Sequence, residues 1–407
     1  MSLSMIMSMT GKAWHFARSN GWLNLLRLIL RRLSSVEGGF GKVRIFKHYE
    51  FVTQPVIGAA ALANGVSKKT INWFVPEVGK GSGGHLNIFR FIKNLEASGF
   101  ENRIVIVGST IQKAPEQIQR EIHEWFFPIQ AVVYSDAESV PPAYFTMATS
   151  WQTAYYVRAY QSTIQRCYFI QDFEPWFYPA GSDYLLAEAT YSFGFQGFTA
   201  GSWLARKLGE EYSMPTCALS FSFDRELYKL QSKAQAERKH KRIFFYARPP
   251  TARRAFELGL LVLAAVLKRL PQAQVVMAGW DVRNYDIPFP VEHVGLVDLK
   301  DLPALYGGCD VALVLSCSNL SLLPLELMAC GVPVVSNRAP YTEWLLDDSN
   351  SVLANPTVES LSTAIIELLG SPAKIEELRQ AGYKFAYQTS WEKEANVMAE
   401  RLANLAL

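Results

Sequence analysis

Cysteine is sparse, and its spacing forms no pattern. The five residues, Cys167, Cys217, Cys309, Cys317 and Cys330, are odd in number and contain no Cys-x-x-Cys pair. That spacing excludes a zinc module and a disulfide framework. Cys309, Cys317 and Cys330 fall in apolar runs and read as small buried hydrophobes in a reducing compartment. Histidine is thin as well: the six residues show no His-x-His or His-Glu-x-x-His pattern, and only His85 stands where a ligand is expected. No carboxylate cluster adds to these, so no metal is expected. No apolar run reaches the ~18 residues of a spanning helix. The opening MSLSMIMSMT has neither a basic leader nor a small-residue cleavage site, so a cytoplasmic protein is expected. The net charge of +3 comes without a Lys/Arg stripe, which argues against nucleic acid as a partner.

What is present is length, apolar residues and alternation. A chain of 407 residues accommodates two ordinary domains, and 49% hydrophobic with 19% charged residues is a globular balance. Near the start, Gly21 to Leu33 reads GWLNLLRLILRRL, with Arg27, Arg31 and Arg32 on one side of a leucine-rich helix. Residues 21–33 fit a peripheral helix on an anionic membrane surface, and equally a helix docked on the protein's own body.

From Ile71 onward, strand and helix patterns alternate. Ile71–Val75, Ile104–Val107, Ala131–Tyr134, Arg166–Ile170, Gly197–Ala200 and Thr216–Leu219 are strand-like, and Leu86–Ser98 is helical. Gln231–Arg242 holds no Ile, Leu, Val or Phe and reads as a linker. The alternation then restarts. Arg242–Tyr246, Gln274–Ala278, Val311–Leu315 and Val332–Val335 are strands, and Ala255–Arg269, Pro303–Gly307, Leu323–Ala329 and Trp391–Leu405 are helical. Strand–helix–strand runs with short links indicate parallel sheets. The expected architecture is α/β: two Rossmann-like domains whose parallel sheets face each other across a cleft. The expected division is a helical N-terminal extension over 1–45, a first domain over 46–232 and a second over 233–386. A last helix within 387–407 is expected to cross back onto the first domain.

Four segments carry chemistry. In the first, Ser318, Asn319, Leu320, Ser321 and Leu322 form a small polar loop between a strand and a helix, with Glu326 in the first turns of that helix. Free N–H groups at a helix start suit a phosphate, and a carboxylate suits sugar hydroxyls. An ordinary strand–helix unit would look the same. In the second, Arg248 and Arg253 flank a Pro-Pro turn after a strand. Two guanidinium forks at strand-end height neutralise a diphosphate and let a nucleotide leave without a metal. A solvated basic face is the plainer alternative. Gly279, closing the strand Gln274–Ala278, joins this donor-binding set.

The third segment is Gly79-Lys-Gly81-Ser-Gly83-Gly84-His85, a glycine loop opening a helix. A dinucleotide site needs an acidic residue after the next strand, and here Gly108-Ser109-Thr110 stands there. The fourth is Gln171-Asp172-Phe-Glu174-Pro-Trp176-Phe-Tyr178, two carboxylates followed by aromatics. Carboxylates grip hydroxyls and aromatic faces cover sugar rings. Asp172 or Glu174 is also a candidate general base toward an acceptor hydroxyl. His85, Asp172, Glu174, Trp176 and Tyr178 form the expected acceptor-binding set.

Together these segments resemble glycosyltransferase family 4, a retaining family of GT-B fold. Arg248 and Arg253 stand at the family's Arg and Lys positions. Ser318 and Glu326 stand at the two positions of its Glu-x7-Glu stretch, and Ala329-Cys-Gly331-Val-Pro333-Val-Val fits its tail. The first of the two glutamates is here Ser318, which puts the contact to the transferred sugar in question. The resemblance implies a diphosphate on Arg248 and Arg253, a ribose on Glu326, and Gly83 and Gly84 against the donor. The Gln-Asp-Phe-Glu-Pro stretch resembles the WsaF-like rhamnosyltransferase branch. That implies dTDP-L-rhamnose as donor, a carbohydrate or lipid-linked glycan acceptor, a role in surface polysaccharide synthesis and no cofactor. The rivals are a UDP- or GDP-hexose donor, a sugar-nucleotide epimerase, a phosphorylase-like enzyme, and a non-catalytic sugar-binding protein of GT-B or periplasmic type.

Overall fold

The computed structural model describes residues 45–60, 65–109, 113–230 and 240–407. The helix expected over 21–33 lies outside the described residues, as does most of the linker expected at 231–242. Among the described residues, thirteen strands pair in two parallel sheets, one of seven strands and one of six. The chain divides into two compact units, Met1–Ile92 with Gly99–Arg166, and Lys93–Ser98 with Cys167–Leu407.

In the first unit, β1 (Thr70–Val75), β2 (Glu101–Ile106), β3 (Val132–Tyr134) and β4 (Ala143–Ala148) take the order β3-β2-β1-β4. β1 is buried along its whole length, which explains why it is apolar but for Thr70 and Asn72. It pairs with β2 from Thr70 opposite Glu101 and with β4 from Ile71 opposite Phe145. Chain order reverses between β1 and β4. That is the switch point of an open parallel sheet, where ligands bind beyond the carboxyl ends. The glycine loop follows β1 and leads into a helix over Gly83–Ala97.

The second unit holds β5 (Thr163–Ile170), which the division crosses, then β6 (Gln196–Ala200) and β7 (Thr216–Leu219), paired in that order. The six-stranded sheet follows: β8 (Arg242–Tyr246), β9 (Gln274–Ala278), β10 (Val291–Gly295), β11 (Val311–Val314), β12 (Val334–Asn337) and β13 (Val352–Ala354). Its order is β10-β9-β8-β11-β12-β13, so its switch point lies between β8 and β11. Alternate residues of these strands, among them Ile243, Phe245, Val275, Met277, Val311 and Leu313, meet Val262, Leu263 and Val266 of the helix Phe256–Arg269 in one core. Burial of these side chains stabilises by roughly 1.5–3 kcal/mol each. That helix carries Glu257 in its first turn and Lys268 and Arg269 in its last, signs that match its dipole.

The last helix, Trp391–Leu405, is capped by Ser390, whose side chain accepts from the Lys393 N–H. Glu394 accepts from the Ser220 N–H at 2.7 Å, and Arg401 donates to Gln196 Oε1 at 2.7 Å. These bonds hold the helix against β6 and β7. None of the five cysteines, all among the described residues, forms a disulfide. Cys317 departs from the sequence reading: β11 ends at Val314, so Cys317 lies in the following loop and is exposed rather than buried. Among the described residues no helix is long and apolar enough to cross a membrane.

Candidate functional site

The second unit gathers most of the expected site residues at the carboxyl ends of β8, β9 and β11. After β8 the chain turns through Arg248 and a 3-10 turn over Ala252–Arg254. Ala255 closes that turn at φ 47°, a left-handed conformation costing roughly 1–2 kcal/mol, and the helix Phe256–Arg269 begins. Arg248 reaches across to β9. Its Nη1 donates to Gly279 O at 3.4 Å, and its guanidinium lies 5.6 Å from the centre of the Trp280 ring. Gly279 has φ +108°, and a Cβ there would stand 2.4 Å from Tyr246 Cε2, so glycine is required for the approach.

Arg253 and Arg254 turn in different directions. The Arg253 guanidinium stacks 4.0 Å from the centre of the Phe177 ring, and its Nε stands 3.3 Å from Asp172 Oδ2. That ion pair lacks hydrogen-bond alignment at Nε. Arg254 points into the loop after β11, where its Nη1 donates to Ser316 Oγ at 2.8 Å and to Asn319 O at 3.4 Å. Burial pulls its pKa below the ordinary arginine value, and the nearby Asp172 charge opposes that. The sequence reading omitted Arg254 because spacing does not tell which of two consecutive arginines a tight turn sends inward.

Loop 316–319 is tied from several sides. Ser316 N–H donates to Asn337 Oδ1 at 3.0 Å, and Asn337 Nδ2 donates back to Ser316 O at 2.8 Å. Ser318 and Asn319 are fully buried. Ser318 Oγ donates to Asp172 Oδ2 at 2.8 Å, and the Asn319 N–H donates to Asp172 Oδ1 at 2.9 Å. Asn319 Nδ2 donates to Gln171 O at 3.0 Å and to Ala200 O at 2.7 Å, at the ends of β5 and β6. Asp172 Oδ1 also accepts from the Phe173 N–H at 2.9 Å. Burial pushes the Asp172 carboxyl above the ordinary range, while Arg253, Arg254, the Asn319 amide and the Ser318 hydroxyl pull it back.

Beyond the loop, Leu320 and Leu322 are buried, Ser321 is half-buried, and a helix spans Leu323–Ala329. Glu326 is half-buried in its first turn, and its charge helps raise the pKa of Tyr306 and Cys330. Glu174 is buried: its Oε1 accepts from Tyr168 Oη at 2.7 Å, and its N–H donates to Tyr191 Oη at 3.0 Å. Trp176 and Phe177 are each 37% exposed, and Tyr178 is half-buried. The Lys207 ammonium lies 5.3 Å from the centre of the Trp176 ring.

Two groups emerge. Asp172, Arg253, Ser318 and Asn319 form one, and Arg248 with Gly279 the other. The structure adds Arg254, Ser316, Asn337 and Trp280, none of which was singled out from sequence. Gly83, Gly84 and His85 belong to the first unit. There a Cβ on Gly79, Gly81 or Gly83 would meet nothing within 4 Å, so the loop is open. His85 Nδ1 lies 2.8 Å from Ser82 Oγ, and its ring stacks on Phe89. Burial lowers its pKa to about 4, against the pull of the Pro76 carbonyl.

Known proteins resemble this chain in sequence and in fold. Residues 241–366 match the family model described as WsaF, C-terminal domain. The O-antigen biosynthesis protein RfbC of Myxococcus xanthus is 31% identical over 360 residues, which cover 86% of this chain and 28% of that protein. A GDP-mannose-dependent monoacylated alpha-(1-6)-phosphatidylinositol monomannoside mannosyltransferase of Corynebacterium glutamicum is 32% identical over 121 residues, 28% of this chain and 29% of that one. The chain thus aligns with less than a third of either relative's length. HepE of Anabaena, solved with UDP and glucose, superposes over 83% of this chain and 100% of its own, with a TM-score of 0.64 at 15% identity. Sucrose-phosphate synthase from Thermosynechococcus elongatus superposes over 83% and 99%, with a TM-score of 0.63 at 15% identity. What these structures share with the chain is the fold, two parallel α/β sheets of the GT-B type.

Proposed function

We propose that the chain is a glycosyltransferase that moves a sugar from a nucleoside-diphosphate donor onto a carbohydrate or lipid-linked glycan. The observation that carries this reading is the place of its cations. Arg248, Arg253 and loop 316–322 follow β8 and β11, the two strands that flank the switch point of the six-stranded sheet. The family-model match over 241–366 covers the same segment.

In this reading Arg248 and Arg253 hold the diphosphate. As the glycosidic bond breaks, negative charge grows on the leaving phosphate, and fixed guanidinium groups stabilise it without solvent reorganisation. Arg253 is held for this by the Phe177 face and by Asp172. Glu326 takes the ribose hydroxyls, and the exposed part of Trp176 contacts a sugar. The donor we propose is dTDP-L-rhamnose, transferred with retention by front-side attack, in surface-polysaccharide synthesis. The relationship to an O-antigen biosynthesis protein supports the setting.

A thermal-shift panel of dTDP-, UDP-, GDP- and ADP-sugars tests the donor, because a ligand bound only by the native state raises its stability by mass action. A shift with dTDP-L-rhamnose alone is expected; a shift with UDP- or GDP-hexose alone replaces the donor. Arg248→Ala should lower the transfer rate by roughly 10²–10³-fold, the loss typical of one charge-stabilising donor. Transfer at the native rate would remove Arg248 from the site, and turnover of no donor by the native chain would remove the enzyme.

A further inference from the structure

Asp172 was attractive from sequence as a base, yet its geometry describes another task. Both carboxylate oxygens are engaged inside the protein. Oδ1 accepts the Phe173 and Asn319 N–H groups, and Oδ2 accepts the Ser318 hydroxyl and faces Arg253. Asp172 is 7% exposed, so an acceptor hydroxyl would have to displace one of these partners to reach it. The partners it holds belong to the loop that follows β11. Asn319 completes the tie from the other side through its amide, which donates to the Gln171 and Ala200 carbonyls.

We infer that Asp172 is a positioning residue that fixes loop 316–322 and the Arg253 guanidinium in their donor-binding geometry, and that it takes no proton during transfer. This rests on the reading of that loop and of Arg253 as the donor site. The hydrogen bonds that set the loop are acceptor bonds, and an amide oxygen can supply them as a carboxylate does. The Asn319 and Phe173 N–H groups both point to Oδ1, so asparagine at 172 preserves those two bonds. Its amide nitrogen can donate to Ser318 Oγ in place of accepting from it. Alanine preserves none of them and takes the acceptor from two buried N–H groups and one hydroxyl. A base, by contrast, is lost equally with asparagine and with alanine.

The test compares Asp172→Asn and Asp172→Ala in the full chain. It measures affinity for dTDP and UDP by calorimetry, sugar transfer at saturating donor, and amide exchange across 316–322. Asparagine should keep native amide protection in 316–322 and lie between the native protein and alanine in affinity and rate, because it keeps the Oδ1 bonds but loses the charged partner of Arg253. Alanine should bind the nucleoside diphosphate about tenfold or more weakly, the effect of losing hydrogen bonds to a charged acceptor, and should lose amide protection in 316–322. Asparagine as inactive as alanine would overturn the inference, since the charge or the proton would then be what matters. Alanine with native protection and native transfer would overturn it too.

If Asp172→Ala lacks a cooperative unfolding transition, Ser318→Ala replaces it. Loss of one of the three bonds should speed exchange in 316–322 where Asp172→Asn does not, and equal exchange in the two would overturn the inference. Should the native chain bind neither dTDP nor UDP, the donor reading fails on its own, and amide exchange still decides whether Asp172 sets the loop.

Discussion

Arg253 and Arg254 are neighbours in sequence with separate tasks in the fold, and each task has its own measurement. The Arg253 side chain keeps 28% of its surface in solvent, lies on the Phe177 face and pairs with Asp172 at one nitrogen, leaving its other donors for a ligand. Arg253→Ala should therefore lower transfer by roughly 10²–10³-fold, and its urea midpoint should stay near native. Arg254 donates from Nη1 to Ser316 Oγ and Asn319 O. Arg254→Ala should cost about 1.5–3 kcal/mol of stability, as expected for hydrogen bonds from a charged group. If instead Arg254→Ala unfolds like the native protein and Arg253→Ala is the destabilised one, the two tasks are exchanged. Sequence pointed to Arg253, with Arg248, through residue type and strand-end position, and not to Arg254. It gave no means of dividing the pair, because the partners that do so come from loop 316–319 and from Asp172, which lies 146 positions before Ser318.

At the scale of the element, the helix Phe256–Arg269 can approach its sheet because Gly259 has no side chain. A Cβ there would stand 2.1 Å from Phe245 Cζ, in the middle of β8 and of the second unit's core. Phe245 is fully buried and cannot swing into solvent. Gly259→Ala should therefore destabilise by about 1–3 kcal/mol through overpacking, despite the better helix propensity of alanine. A urea midpoint at or above the native one would show that this helix is free to shift. The same packing explains which elements were readable. β8, β9 and β11 are buried strands with apolar runs, β1 is apolar but for Thr70 and Asn72, and the helix Leu323–Ala329 follows the loop after β11. β4 escaped because Ala143-Tyr-Phe-Thr-Met-Ala148 lacks Val and Ile, though its position inside the sheet buries all six residues. β10 and β13 escaped as edge strands, one carrying Glu292 and His293 and the other three residues long.

The whole molecule should record in its stability that a histidine is half-buried beside an open glycine loop. His85 is held neutral in the first unit by burial, with a pKa of about 4 against an ordinary value of 6.5. Between those values the unfolded chain binds a proton at this position and the folded chain does not. Stability from this group is therefore complete above pH 6.5, falls as the pH drops through the window, and is lost in full near pH 4. The difference amounts to about 3 kcal/mol. Asp172 works in the opposite sense: its pKa is raised in the fold, so acidification favours the folded chain at that site. Comparing the native protein with His85→Phe isolates the histidine, since Asp172 and every other titrating group contribute alike to both. Phenylalanine keeps the ring stacked on Phe89 and cannot bind a proton. The difference in unfolding free energy between the two proteins, measured from pH 7 to pH 4, should move steadily toward the variant as the pH falls. A difference that stays flat across that range would mean that the imidazole charges inside the fold, and that the glycine loop admits enough water to solvate it.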